Sequence, residues 1–171
     1  MSHTKNKVEW CLRKAKKELG EGKQHRGLVK SVPDIEKARA HIAKAEHNLR
    51  ATNYLKQGGF TDWCSSTLFY TIYHCFLSLL AKYGYESRNQ ECTFAVIESL
   101  IEDTAIHLTK NELEKIRGLN IAGSRESLKT VVSIREEYQY STKLSLEDET
   151  FVELLQLAKQ ILEKTKVLIE D

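Results

Sequence analysis

Arg135, Tyr138 and Tyr140 lie close together in the chain and form its most chemically suggestive constellation. A guanidinium can hold a phosphate through paired hydrogen bonds, and phenol rings beside it can stack on a base. The same residues also read more plainly, as an arginine salt-bridged to a glutamate with two tyrosines sealing the end of a helical bundle. Arg88-Asn89-Gln90, just after Gly84, is a second polar cluster, and it reads equally as the loop that opens a helix. Tyr70 and His74 sit one helical turn apart on an apolar segment, where they could share a hydrogen bond. A histidine in such a place is more often a core or interface residue than a catalyst.

Other chemistries find little purchase. His41 and His47 are six apart and do not share a helix face, so they do not form a metal pair. Gly20-Glu21-Gly22 follows a helix instead of preceding one, which is the wrong order for a phosphate-cradling loop. No serine or cysteine has a readable base partner. Cys11, Cys64, Cys75 and Cys92 share no C-x-x-C spacing and sit among apolar neighbours. The expectation is four buried free thiols, not a zinc site or a disulfide framework. No catalytic residue, metal or cofactor is therefore expected.

The elements that must position these groups are helices. Val8, Cys11, Leu12, Ala15 and Leu19 make an amphipathic stripe stopped by Gly20 and Gly22, and a polar connector follows to Val32. Ser31 is a candidate cap for a second helix, with Pro33 in its first turn and Ile35, Ala38, Ile42, Ala45, Leu49 and Thr52 along its inner face. Gly58-Gly59 ends it. A third helix from Thr61 to Tyr83 is apolar on most sides, as the buried centre of a bundle is. A fourth spans about Glu91 to Glu102. Thr109 to Glu112 has the form of a capping box opening a short helix, and another helical piece covers about Arg125 to Glu136. The last helix has the cleanest period, through Phe151, Leu154, Ala158, Ile161, Leu162, Thr165, Leu168 and Ile169, with Glu147, Asp148 and Glu149 at its positive end. No segment alternates with a period of two. The expected fold is all-α: an antiparallel bundle of about five to seven helices around one long central helix.

Composition agrees. With 171 residues, 41% apolar and one proline, the chain can bury a core and is not of the disordered class. No stretch is expected to span a bilayer, because hydroxyls and His74 interrupt the apolar run, and the first residues carry no apolar signal segment. A cytoplasmic protein with no membrane contact is the expectation. The net charge of +2 hides an asymmetry: residues 1–32 hold nine Lys or Arg against three Glu, so the rest of the chain is net −4. Such a segment can face nucleic acid or an acidic partner, or be a solvated helix face.

Two passages resemble the HEPN family, the higher-eukaryote and prokaryote nucleotide-binding domains. One is Gly58-Gly59-Phe60-Thr61-Asp62-Trp63 leading into Phe69 to Leu77 and then Lys82-Tyr83-Gly84. The other is Ile134-Arg135-Glu136-Glu137-Tyr138-Gln139-Tyr140 with the acid-capped closing helix from Leu146. The resemblance covers about residues 35–170, which suggests a HEPN-like bundle over 33–171 behind a basic N-terminal helix and connector over 1–32. It implies nucleotide or RNA binding through Arg135, Tyr138 and Tyr140, with Arg88, His74 and Tyr70 as further candidates. It also implies a homodimer and a place beside a nucleotidyltransferase in a toxin–antitoxin or defence system. The long helix, aromatic on nearly every side, points to the same dimer.

The chain departs from the family's ribonucleases, in which four to six residues separate the arginine from a histidine. After Arg135 that window holds Tyr140, Ser141 and Thr142. Cleavage by 2′-hydroxyl attack needs a proton carrier near neutrality, and a tyrosine near 10 is a poor one. A non-catalytic binding protein is thus the leading expectation. The alternatives are a metal-independent ribonuclease with a rearranged site and a purely structural interaction module.

Overall fold

The computed structural model describes residues 3–117 and 130–170. Helices account for 75% of them, so the chain is all-α as expected. In chain order the elements are α1 (His3–Gly20), β1 (Leu28–Lys30), α2 (Ile35–Gln57), α3 (Thr61–Lys82), β2 (Tyr85–Ser87), α4 (Gln90–Glu102), α5 (Lys110–Arg117), α6 (Val131–Tyr140) and α7 (Asp148–Glu170). They build two compact units. The first comprises residues 1–42, 75–107 and 165–171, and the second residues 43–74 and 108–164.

In the first unit α1 packs on α4. Its inward positions Cys11 and Ala15 are fully buried, and Cys11 is joined to Cys92 by a disulfide with Cα atoms 5.9 Å apart. That corrects the expectation of four free thiols; Cys64 and Cys75 are each buried and outside any disulfide. The bonded cysteines are 81 residues apart in sequence, a separation that local spacing does not reveal. Thr4 adds a hydrogen bond to Glu102, and Lys5 and Lys7 pair with Asp103 and Glu91 at 3.0 and 2.8 Å. Phe76 meets Phe94 edge-on in the core below.

The connector after α1 is not all loop. β1 pairs antiparallel with β2, Val29 opposite Glu86, and each strand is only three residues long, too short to display an alternation. Gly84 turns the chain into β2 with φ +74, and a Cβ there would lie 2.8 Å from the Ser31 carbonyl oxygen. That left-handed turn at such close approach requires glycine. Ser31 is not the cap of α2: its N–H donates to the Gly84 carbonyl. Asp34 caps instead, its carboxylate accepting from the Lys37 N–H at 2.8 Å, which leaves Pro33 ahead of the helix.

In the second unit the α2 and α3 segments meet across the Gly58-Gly59 turn, where Gly59 takes φ +80. Thr52 and Thr67 share a hydrogen bond of 2.7 Å, and burial pushes the Cys64 thiol up to about 11. The capping box at Thr109 forms as expected, Glu112 receiving the Thr109 N–H and donating its own N–H to the Thr109 hydroxyl. Its second carboxylate oxygen accepts from Gln160 and Lys164 of α7, both at 2.6 Å. Burial would raise this carboxyl, but the bonds from Lys164 and Thr109 outweigh it and hold the group below its ordinary range.

The helix carrying Arg135 is shifted from its expected span. α6 starts after a capping box between Thr130 and Ser133 and continues to Tyr140; the expected start near Arg125 lies outside the described residues. Contrary to expectation, α3 is long and apolar enough to cross a membrane by length and composition, and 67% of that stretch is buried in packing, as for a core helix.

Candidate functional site

The candidate site in the second unit is built on two helices. Phe69 on α3 is buried by the core pattern of that helix, and its ring stacks near-parallel on Tyr73 with centroids 5.6 Å apart. On it lies Arg135 of α6, whose guanidinium carbon is 4.2 Å from the Phe69 centroid. The Arg135 side chain is 13% exposed and its Nη2 reaches Glu136 Oε1 at 3.3 Å. The guanidinium Nε is buried, and the Nη2 edge is the one that meets an acceptor, the Glu136 carboxylate. A phosphate arriving at this edge would replace the Glu136 carboxylate, one anion for another.

Tyr70 belongs to the same cluster. Its ring meets Phe69 edge-on at 5.1 Å, and it is 46% exposed, so it offers an accessible aromatic edge beside the stacked pair. The helical course of α6 divides the other two tyrosines. At about 100° per residue, Tyr138 lies about 60° from Arg135 around the axis, whereas Tyr140 lies about 140° away. Tyr138 has the Lys143 ammonium 5.7 Å from its ring centroid, and Tyr140 stands 80% exposed. His74 is half-buried on α3, in the same unit.

Arg88 belongs to the first unit, in a cleft of about 170 Å³ lined by Lys37, His41, Tyr85 and Glu86 among others. Glu86 is the centre of this group. Lys37 Nζ lies 2.9 Å from it, Arg88 Nη2 3.5 Å and His25 Nε2 3.8 Å. The Lys37 hydrogen bond holds the Glu86 carboxyl below its ordinary range against the opposing effect of burial, with Arg88 and His25 assisting. His41 is pushed down by burial and by the charge of Lys37. The cluster is thus an ion-pair network around a carboxylate. Just before it Asn89 caps α4, its side chain accepting from the Cys92 N–H, so this tripeptide also performs the helix-opening role.

Of the six residues singled out from sequence, the structure gathers Arg135 and Tyr70 around one ring, places Tyr138 beside Arg135, and turns Tyr140 outward. Phe69 is the member that sequence reasoning missed as a site residue. Its α3 neighbours marked it as core, and no local signal links it to an arginine 66 positions further on. Among the described residues no group of three or more His, Cys, Asp or Glu is arranged to hold a metal ion. The chain matches no protein-family model and no curated protein.

Proposed function

We infer that this chain is a HEPN-like nucleotide- or RNA-binding and partner-binding protein, acting without turnover through Arg135. The observation that carries the reading is the Arg135 guanidinium stacked on buried Phe69 beside the exposed edge of Tyr70. A cation held in this way is pre-organised for a phosphate, and the neighbouring ring supplies a surface for a base. Tyr140, in place of the family's histidine, gives no proton carrier near neutrality. The reading includes a homodimer working beside a nucleotidyltransferase in a toxin–antitoxin or defence setting. Light scattering at tens of micromolar tests the dimer, and a monomer there counts against that part.

The test of the site is filter binding of a short single-stranded RNA to wild type and Arg135→Ala at low and physiological salt. A directed charged hydrogen bond of about 1.5 to 3 kcal/mol corresponds to a loss of tenfold or more at both salts. Incubation with mixed RNA, with and without chelator, should leave the RNA intact. A second reading, a structural interaction module, is favoured by the ion pair to Glu136, which already gives Arg135 an acceptor. Unchanged affinity in Arg135→Ala would select it.

A further inference from the structure

The outward side of α1 presents cations that pair with no acid among the described residues. Lys5, Lys7 and Lys23 are paired with Asp103, Glu91 and Glu21. Arg13, Lys14, Lys17 and Arg26 form no ion pair among the described residues. At about 100° per residue, Arg13, Lys14 and Lys17 share with Trp10 the side of α1 turned away from buried Cys11 and Ala15. Trp10 is 52% exposed, and the Lys14 ammonium lies 5.4 Å from its ring centroid. Beside them opens a cleft of about 710 Å³ walled by Lys14, Lys17, Lys23 and Arg26. The two carboxylates at this cleft are engaged, Glu18 by the Arg26 backbone N–H at 2.6 Å and Glu21 by Lys23.

We propose that this face of α1 binds a single-stranded polynucleotide, its phosphates following Arg13, Lys14, Lys17 and Arg26 and one base stacked on Trp10. Charge complementarity selects a polyanion, and the exposed indole selects among polyanions. A duplex keeps its bases stacked inside, and an acidic peptide leaves the ring without a partner, whereas a single strand supplies both groups. A lipid surface would demand several apolar side chains on the same side. The other large apolar residue exposed on α1, Leu19, lies about 180° around the helix from Trp10. The disulfide to Cys92 and the contacts of Thr4, Lys5 and Lys7 hold α1 with this side outward, so little ordering remains for binding. Arg135 belongs to the other unit.

The test uses the full chain carrying Trp63→Phe, so that indole emission reports Trp10 alone, the only other tryptophan. Oligouridylate and oligodeoxythymidylate of about twelve nucleotides are titrated at several salt concentrations. Quenching of Trp10 emission by either strand is expected. By filter binding, which needs no indole, Trp10→Ala should weaken binding roughly tenfold. Arg13→Gln, Lys14→Gln and Lys17→Gln together should flatten the slope of log K against log salt by about 2, with circular dichroism unchanged. Arg135→Ala runs in the same titration. Loss confined to the α1 variants supports this face and removes the Arg135 site, and loss confined to Arg135→Ala does the reverse. Binding to phosphatidylserine vesicles or polyglutamate but to neither oligonucleotide overturns the proposal, as does binding without quenching that the α1 variants leave unchanged.

Discussion

The two units fasten their helices by opposite means. The first ties α1 to α4 with a covalent bond and with ion pairs at the surface, where Lys5 and Asp103 are each about half exposed. The second ties α5 to α7 with a carboxylate, Glu112, whose residue is 7% exposed and which receives donors from Thr109, Gln160 and Lys164. A disulfide acts largely on the unfolded chain and ignores pH, while a buried carboxylate acts in the folded state and depends on its charge. The chain therefore carries one fastening sensitive to reductant and another sensitive to acid.

The largest effect that would sharpen this contrast is loss of the disulfide. Replacing Cys11 and Cys92 together by Ala should lower unfolding stability by about 4 kcal/mol in urea titrations, given the long loop that the bond closes. The loss should be the same at pH 7 and pH 5; a strong pH dependence would break the comparison. Next, Glu112→Ala should cost about 1 to 2 kcal/mol at pH 7, through the lost capping bonds at Thr109 and the lost, partly exposed pair with Lys164. The sign with pH follows from the depressed carboxyl. Its contribution is fully present above the unfolded value near 4.3 and disappears as pH falls through the lower folded value. The gap between wild type and Glu112→Gln should thus close as pH falls below the unfolded value near 4.3, and a gap that widens there would refute the assignment. Arg135→Met, which keeps the apolar stem but not the charge, should cost about 1 kcal/mol through the lost stack on Phe69. The smallest change is Lys7→Gln, a partly exposed pair worth about 0.5 kcal/mol or less and fading with salt. A larger effect would mean that surface charges contribute more to the first unit than their exposure implies.

Much of this was legible in the chain because helices announce themselves locally. α7 and α3 follow from the 3.6-residue period, and the Thr109 to Glu112 box from four adjacent residues. The misses were contacts between distant residues or choices between neighbours. Three-residue strands offer too little pattern, and Cys11 finds Cys92 only once α1 and α4 have packed. Ser31 and Asp34 are both good caps by type, and the pairing of Ser31 with Gly84 decides between them. At the candidate site the arginine and tyrosines could be named from sequence, but not their grouping. Helical winding separates Tyr140 from Arg135, and the ring beneath the guanidinium comes from another helix. The excess of positive charge was visible too, yet which cations lack acid partners became clear only from their neighbours.

The bond between Cys11 and Cys92 also changes what cutting the chain means. The connector beyond α1 exposes Lys23 and Arg26, two residues after which trypsin cleaves, ahead of the paired strand β1. A nick there would free nothing, because the bond retains the amino-terminal fragment on α4. The nicked molecule would run as one species on a gel until reductant released the smaller piece.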